Sequence, residues 1–288
     1  MTGTKRYKGE VDMIHQSIDI QLDFKKLGRE QGEYQPKLYT YVPMNTFPGK
    51  PFNDRRPSVL ICPGGGYSYA TDREGETVAL AFLAKGFNCF VLKYSCAPAT
   101  FPVALLEVAK SLEIIRSHAD EWFLDPDQIF VCGFSAGGHL TASMGVFWDK
   151  PFVSEYLGVD NEIVKPNGLI LSYPVISSGE HAHRGSFQNL LGDQLSEEML
   201  EYLSLEKQVS ENTPPAFLWH TWEDGSVPVE NSILFAMALR KYNIPCEMHI
   251  YQKGGHGLSL GNYMTGDTVM SCENWVEMAS RWMRELGA

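Results

Sequence analysis

A Gly-x-Ser-x-Gly motif behind an apolar run is the feature that most constrains how this chain can fold. Residues 130–134 are mostly apolar, and the motif runs from Gly133 through Ser135 to Gly137, ahead of a stretch rich in small residues. A buried strand that turns sharply into a helix exposes the serine hydroxyl and points the free N–H groups of the first helical turn towards it. Glycine on either side lets neighbouring backbone approach the turn. The motif therefore predicts a nucleophile elbow with Ser135 at its tip.

A second glycine-rich loop follows another apolar run, residues 59–62. It contains Gly64, Gly65 and Gly66 directly after Pro63. The loop fits neither glycine-rich nucleotide-binding pattern, GxGxxG or GxxxxGK[ST]. By itself it is equally consistent with a flexible turn. Beside a nucleophile elbow, a glycine-rich loop at a strand end supplies further N–H groups for an oxyanion, and this interpretation is favoured here.

The order of apolar segments predicts an α/β fold. Two alternating segments, residues 17–24 and 38–42, are typical of half-buried antiparallel strands. Continuous apolar runs then alternate with segments of helical period, which indicates a mostly parallel sheet with helices on both faces. We expect residues 1–288 to form a single domain, with a small lid insertion at about residues 174–215 between two core strands.

Composition narrows the choice of partners. The 24 Lys and Arg against 35 Asp and Glu give a net charge of −11, which disfavours nucleic acid and anionic membrane surfaces. Residues 1–10 are polar and lack the apolar core of a secretion signal. The six cysteines form no CxxC pair and several lie in strand-like runs, as buried thiols of a reducing compartment do. The sequence predicts a cytoplasmic protein without nucleic-acid or membrane partners, and leaves a homo-oligomer open.

A serine nucleophile needs a base and a carboxylate that orients the base. His256 lies among glycines after the last strand-like run, so its backbone is free to bring the imidazole over the elbow. Glu223 and Asp224 both follow the preceding strand-like run, and either carboxylate could serve. Asp224 is favoured because its side chain has fewer rotamers and Gly225 permits a sharp turn after it. We predict Ser135 as nucleophile, His256 as base and Asp224 as orienting acid.

The other histidines are given structural roles. His181 and His183 lie close together in the insertion, but no third ligand stands at usable spacing, so we expect no metal site. His220 lies in a strand-like run, where it is expected to pack or to donate a single hydrogen bond. His139 lies on the helix after the elbow. No cofactor is expected.

Several segments spread over most of the chain carry a family resemblance: CPGGGY, GFSAGGHL, SYPVI, NLLG, PPAFLWHTWEDGSVPVENS and KGGHGL. In these the chain resembles the α/β-hydrolase superfamily, and within it the carbohydrate-esterase group of acetyl xylan and feruloyl esterase-like proteins. The resemblance implies the α/β-hydrolase fold and the same three catalytic residues. It also implies an oxyanion hole formed by the N–H groups of Gly65, Gly66 and Ala136.

The expected activity is that of a serine carboxylic-ester hydrolase that works through an acyl-enzyme. In the absence of a secretion signal, small-molecule esters or acylated sugars are the expected substrates. Two alternatives remain. An amidase or a peptidase of the prolyl-oligopeptidase type would use the same residues, although the sequence offers no propeller domain. A non-catalytic protein with a hydrolase fold would not need to keep the complete set of residues.

Overall fold

The computed structural model describes residues 13–29, 32–43, 46–47, 50–51, 55–266 and 268–287. The polar N-terminal segment, residues 1–10, lies outside the described residues. Part of residues 45–57, whose Pro, Gly and Asn content predicts a loop, also lies outside them.

Ten strands are present in the described residues. They are β1 (Ser17–Asp19), β2 (Lys37–Tyr41), β3 (Thr46–Phe47), β4 (Lys50–Pro51), β5 (Arg56–Cys62), β6 (Asn88–Lys93), β7 (Leu124–Phe134), β8 (Gly168–Ser172), β9 (Ala216–Thr221) and β10 (Cys246–Tyr251). β3 and β4 pair with each other, and the rest form one sheet in the order β1-β2-β6-β5-β7-β8-β9-β10. β2 runs antiparallel to both β1 and β6, and the remaining neighbours are parallel. The predicted mostly parallel sheet with an antiparallel entry is confirmed.

Helices cover both faces of this sheet. They are α1 (Glu76–Leu83), α2 (Val103–Ser117), α3 (Ala136–Phe147), α4 (Pro151–Leu157), α5 (Asn161–Val164), α6 (Arg184–Leu191), α7 (Glu197–Tyr202), α8 (Glu230–Lys241) and α9 (Trp275–Leu286). Side chains of α1 and α9 pack into the core on one face, and those of α2, α3 and α8 pack into the core on the other. The α/β fold class with helices on both faces is therefore as predicted.

The two cores explain why the central strands are apolar without a break. In β5, Val59 and Ile61 belong to the core under α1 and α9, while Leu60 and Cys62 belong to the core under α2 and α3. All four are fully buried. Since successive side chains of a strand point to opposite faces, a strand covered on both faces needs an apolar residue at every position.

The insertion expected between two core strands joins β8 to β9 and contains α6 and α7. Residues 197–205 are acidic and rich in Leu, a pattern that predicts one helical piece, whereas the structure has α6 as well and ends α7 at Tyr202. Its apolar side chains pack inward, since Phe187, Leu190, Leu191 and Leu203 belong to the core of the main domain. That this segment acts as a lid stays a prediction.

Among the described residues, we find no helix with the length and apolar character that crossing a bilayer requires. The cytoplasmic location stays a prediction.

His139 ties α3 to two other segments. Its Nδ1 accepts a hydrogen bond from the Tyr67 hydroxyl at 2.9 Å, and its Nε2–H donates to the Leu203 carbonyl at 3.0 Å. Burial lowers the pKa of His139 to about 4, against a smaller opposing effect of the Leu203 carbonyl. An unfolded imidazole titrates near 6.5, so on acidification the unfolded chain takes up this proton first.

We therefore predict that the His139 contribution to stability is complete above about pH 6.5 and is lost as the pH falls to about 4, a change of about 3 kcal/mol. Denaturant unfolding of wild type and His139→Gln between pH 7 and 4 checks this. The variant should be less stable at pH 7 but less sensitive to acid. His249→Gln, at a partly exposed strand position, is the control and should keep the wild-type slope. Equal slopes for wild type and His139→Gln would contradict the prediction.

Candidate active site

Ser135 sits at a strained turn between β7 and α3. Its backbone has φ 53° and ψ −117°, which is unfavourable for a residue with a side chain. Neighbouring backbone holds the turn in place, because Ser135 N–H donates to the Ser172 carbonyl and the Ser135 carbonyl accepts from Val175 N–H, both at 3.0 Å. The predicted strand–turn–helix geometry at this serine is present.

The two motif glycines are needed because backbone passes too close for any side chain. A Cβ on Gly133 would lie 2.1 Å from the Gly137 carbonyl oxygen, and a Cβ on Gly137 would lie 2.1 Å from the Cys62 carbonyl oxygen. Contacts of that length do not occur between real atoms. Gly133 and Gly137 thus allow α3 to pack tightly against β7 and the end of β5.

The three residues predicted as nucleophile, base and acid are joined by consecutive hydrogen bonds. The Ser135 Oγ lies 2.7 Å from His256 Nε2, and His256 Nδ1 lies 2.6 Å from Asp224 Oδ2. They come from the turn after β7, the loop after β10 and the loop after β9. With Nδ1 protonated, the imidazole donates to Asp224 and presents the lone pair of Nε2 to the serine proton, as a general base requires.

The Asp224 carboxylate is buried but fully hydrogen-bonded. Oδ1 accepts from the N–H groups of Ser226 and Val227, both at 2.9 Å, and Oδ2 accepts from His256 and, at 3.2 Å, from His220 Nε2–H. Burial raises the pKa of Asp224, but the hydrogen bonds from His220, His256 and Val227, together with the charge interaction with His256, hold it well below its usual range. The group is therefore an anion that is held in one orientation.

His220 has a larger role than the sequence suggested. Rather than packing or donating a single hydrogen bond, it shares its Nε2–H between the Val227 carbonyl at 2.9 Å and Asp224, while Nδ1 accepts from the Ser232 hydroxyl at 2.8 Å. It is fully buried beside the carboxylate. The sequence did contain a pattern that indicates this contact: a histidine at the end of a strand, four residues before an acid on the following turn.

Glu223, the other carboxylate considered, lies on the outside of the same loop. It contacts Lys253 Nζ and accepts a hydrogen bond from Gly254 N–H at 3.3 Å. It therefore links the loops after β9 and β10. The geometry places Asp224, and not Glu223, against His256.

The glycine-rich loop packs on the elbow, since a Cβ on Gly64 would lie 3.0 Å from Ser135 Cβ. Gly64 N–H is already used by the Glu74 carboxylate at 2.8 Å. In the described part of the chain, the N–H groups of Gly65, Gly66 and Ala136 donate to no protein acceptor. These three remain the candidates for holding an oxyanion.

The insertion contacts this loop directly. Asn189 Nδ2 of α6 donates to the Gly66 carbonyl at 2.8 Å.

The two histidines of the insertion have local partners. His183, at the start of α6, accepts from Ser186 Oγ at 2.9 Å, and the His181 carbonyl accepts from Asn231 Nδ2. Across the described ranges, no group of three or more His, Cys, Asp or Glu side chains is arranged to hold a metal ion.

Comparison with known sequences points to esterases and to enzymes of xylan breakdown. The BD-FAE family profile matches residues 46–239. The chain is 40% identical over 236 residues to Endo-1,4-beta-xylanase B of Butyrivibrio fibrisolvens, which covers 79% of this chain and 35% of that protein. It is 30% identical over 235 residues to the acetylxylan esterase of Xylanibacter ruminicola, which covers 79% of this chain and 46% of that protein. The chain thus spans less than half the length of these relatives.

Solved structures agree with the fold. The acetyl ester-xyloside bifunctional hydrolase from Caldicellulosiruptor lactoaceticus superposes with a TM-score of 0.83 at 32% identity, covering 97% of this chain and 99% of that one. The alpha/beta hydrolase MGS-M1, from a Medee basin deep-sea metagenome library, has a TM-score of 0.72 at 29% identity, covering 94% and 98%. The predicted α/β-hydrolase fold is confirmed, and the esterase names agree with the predicted enzyme class.

The position of Asp224 leads to a prediction about the orienting acid. Asp224→Asn keeps the shape but puts an amide among donors, and favours the wrong imidazole tautomer, so kcat on p-nitrophenyl acetate should fall by roughly ten-thousand-fold. Glu223→Gln should cost less than tenfold, because that side chain faces Lys253. Circular dichroism and thermal unfolding of both variants control for misfolding. The reverse ranking of the two losses would transfer the role to Glu223.

Proposed function

This chain belongs to the BD-FAE family, and from that premise we propose that it is a serine carboxylic-ester hydrolase acting on small esters, above all short acyl groups on sugars. The observation that carries the proposal is the hydrogen-bonded line from Ser135 through His256 to Asp224 at a strained elbow. The esterase names of its relatives support the reaction type.

In the proposed mechanism, Ser135 Oγ attacks the ester carbonyl carbon while its proton passes to His256 Nε2. The carbonyl oxygen gains the electron pair and is held by the N–H groups of Gly65, Gly66 and Ala136. When this intermediate collapses, the alcohol leaves with the proton from His256 and the acyl group stays on Ser135. Water, deprotonated by His256, then releases the acid. Throughout, the Asp224 anion stabilises the imidazolium and keeps its orientation.

The surface of the insertion supports a small, polar substrate rather than a lipid droplet. Residues 174–215 are all described, and among their large apolar side chains only that of Leu195 is exposed. The others pack into the core. An enzyme that works at an oil–water interface would present a contiguous apolar patch there. The net charge of −11 also disfavours anionic lipid surfaces.

Two exposed aromatic residues support a sugar as the alcohol. Tyr69 is 62% exposed and Trp222 is 65% exposed. Tyr69 lies against the glycine-rich loop, since a Cβ on Gly65 would be 3.2 Å from its ring. Trp222 lies two residues before Asp224. Exposed rings on the loops that carry the site residues offer flat apolar faces on which a pyranose can stack.

The proposal predicts that a fluorophosphonate probe labels wild type at Ser135 and that Ser135→Ala is not labelled. In addition, kcat should fall by roughly a million-fold in Ser135→Ala, because no other group can form the acyl-enzyme. The fold should persist, since only one oxygen is removed. Mass spectrometry locates the label. A variant that keeps a few per cent of wild-type activity in a clean preparation would exclude Ser135 as the nucleophile.

The substrate class gives a further prediction. Acetate esters should be hydrolysed faster than esters of eight or more carbons, and acetylated xylo-oligosaccharides should be deacetylated. Trp222→Ala should raise KM for the acetylated oligosaccharide at least threefold, and leave KM for p-nitrophenyl acetate within twofold, if the ring holds the sugar. Tyr242→Ala, at an exposed aromatic position beyond the end of α8, is the control. A preference for long acyl chains, or for amides over esters, would contradict the proposal.

A further inference from the structure

Glu74 is a buried carboxylate that the proposed mechanism leaves unused. It ends the single helical turn Asp72–Glu74 between β5 and α1 and is 3% exposed. Its Oε2 accepts the Gly64 N–H of the glycine-rich loop at 2.8 Å, and its Oε1 accepts the Tyr173 hydroxyl at 2.6 Å. A buried acid without a basic side chain among its hydrogen-bond partners is costly, so its retention here calls for a reason.

Tyr173 extends this contact to the loop that carries His256. Its hydroxyl oxygen accepts the Ser259 N–H at 2.7 Å, three residues after His256. Its ring meets the His256 imidazole edge to face, with centroids 5.1 Å apart. Ser259 Oγ in turn donates to the Arg73 carbonyl, next to Glu74, at 2.8 Å. One phenol and one carboxylate therefore join the glycine-rich loop, the start of the insertion and the His256 loop.

The donors around Glu74 require it to act as an acceptor at both oxygens. Gly64 N–H can only donate, and the Tyr173 hydroxyl, which already accepts from Ser259, has its hydrogen free for Glu74. Burial raises the pKa of Glu74, while the hydrogen bonds from Tyr173 and Gly64 and the charges of His256 and Arg73 lower it in part. An amide at this position could not satisfy both donors, since one of them would meet an NH₂ group.

Backbone strain is concentrated in the same place. Tyr173 has φ 39° and Ser259 has φ 55°, and the elbow serine has φ 53°. Such conformations cost free energy for residues with a side chain and persist only where the surroundings hold them. The hydrogen bonds of Tyr173 and Ser259 supply that restraint. Both residues lie within the network that surrounds His256.

We propose that Glu74 and Tyr173 are a positioning pair, which holds the glycine-rich loop and the His256 loop in the arrangement that the reaction needs. The proposal rests on the proposed function of Ser135 and His256. The pair acts through other groups. By holding Gly64, Glu74 fixes the position of the N–H groups of Gly65 and Gly66. Tyr173 fixes the position and orientation of the His256 imidazole.

The test compares Glu74→Gln, Tyr173→Phe and the double variant by steady-state kinetics on p-nitrophenyl acetate. We expect kcat to fall roughly 10- to 100-fold in each single variant, with KM changed less than threefold. The reason is that displaced groups reduce the stabilisation of the transition state more than they reduce substrate binding. The double variant should be little worse than Glu74→Gln alone, since the two residues act as one unit. Glu76→Gln, on an exposed acid of α1, and Tyr251→Phe are the controls and should stay within twofold of wild type.

A transition-state analogue adds a measurement that a general loss of stability would not alter. A trifluoromethyl ketone, which forms a tetrahedral adduct with the serine, should bind to the variants more weakly, by the same factor as the fall in kcat. If Glu74→Gln fails to fold, Tyr173→Phe, which lacks a single oxygen, decides the question. Wild-type kcat and analogue binding in Tyr173→Phe would overturn the proposal.

Nuclear magnetic resonance separates this proposal from the proposed function. In wild type and both single variants, the Nδ1–H resonance of the His256–Asp224 hydrogen bond is recorded. A shifted or broadened resonance in Glu74→Gln and Tyr173→Phe supports the positioning role, even if wild type were to hydrolyse no ester and the proposed function had failed. An unchanged resonance, together with unchanged kinetics where esterase activity exists, rejects the pair while leaving the esterase assignment intact.

Discussion

Close approach of backbone at the turn between β7 and α3 is the constraint on which the rest of the site depends. The Gly137 Cα faces the Cys62 carbonyl at a distance that admits no side chain, and this draws α3 against the ends of two neighbouring strands. All of α3 is buried as a result, and its other glycines are packed as closely, Gly138 against Pro174 and Gly145 against Leu169. Helix α3, packed closely on one face of the sheet, thus holds Ser135 in its strained conformation, and the loops that complete the site are assembled around it.

Around that turn, two buried carboxyl groups are held by hydrogen-bond donors of the protein. Asp224 receives hydrogen bonds from two backbone N–H groups and two imidazoles, and Glu74 receives them from Gly64 and Tyr173. A buried carboxyl group without hydrogen-bond partners would destabilise the fold in either place, whereas fixed donors hold each of these two acids in one orientation. The two acids lie on opposite sides of His256 in the network: Asp224 binds its Nδ1, and Glu74 reaches its loop through the phenol of Tyr173.

Features that depend on neighbouring residues in the chain were predictable. The elbow motif, the glycine-rich loop and the alternation of buried strands with helices are local patterns, and each has a direct physical reason, such as the apolar positions of β5 that face two cores. His220 and Glu74 were missed as parts of the site. Glu74 meets Tyr173 across 99 positions in the chain, and no pattern in either segment indicates the other. The ends of elements were also less predictable: the alternating segment at residues 17–24 forms a strand only over Ser17–Asp19.

By itself, the sequence determined which residues are chemically able to act: a serine at a tight turn, a histidine among glycines and an aspartate on a strand-end loop. The reason is that nucleophile, base and the conformational freedom of glycine are properties of residue type and local spacing. Only the tertiary structure decided which groups meet. Parallel strands bring their carboxyl ends to one edge of the sheet, and there Asp224 rather than Glu223 faces His256, while His220 turns inward to the same carboxylate. Those contacts depend on strand register and on the direction of each side chain, which long-range packing sets and local sequence does not encode.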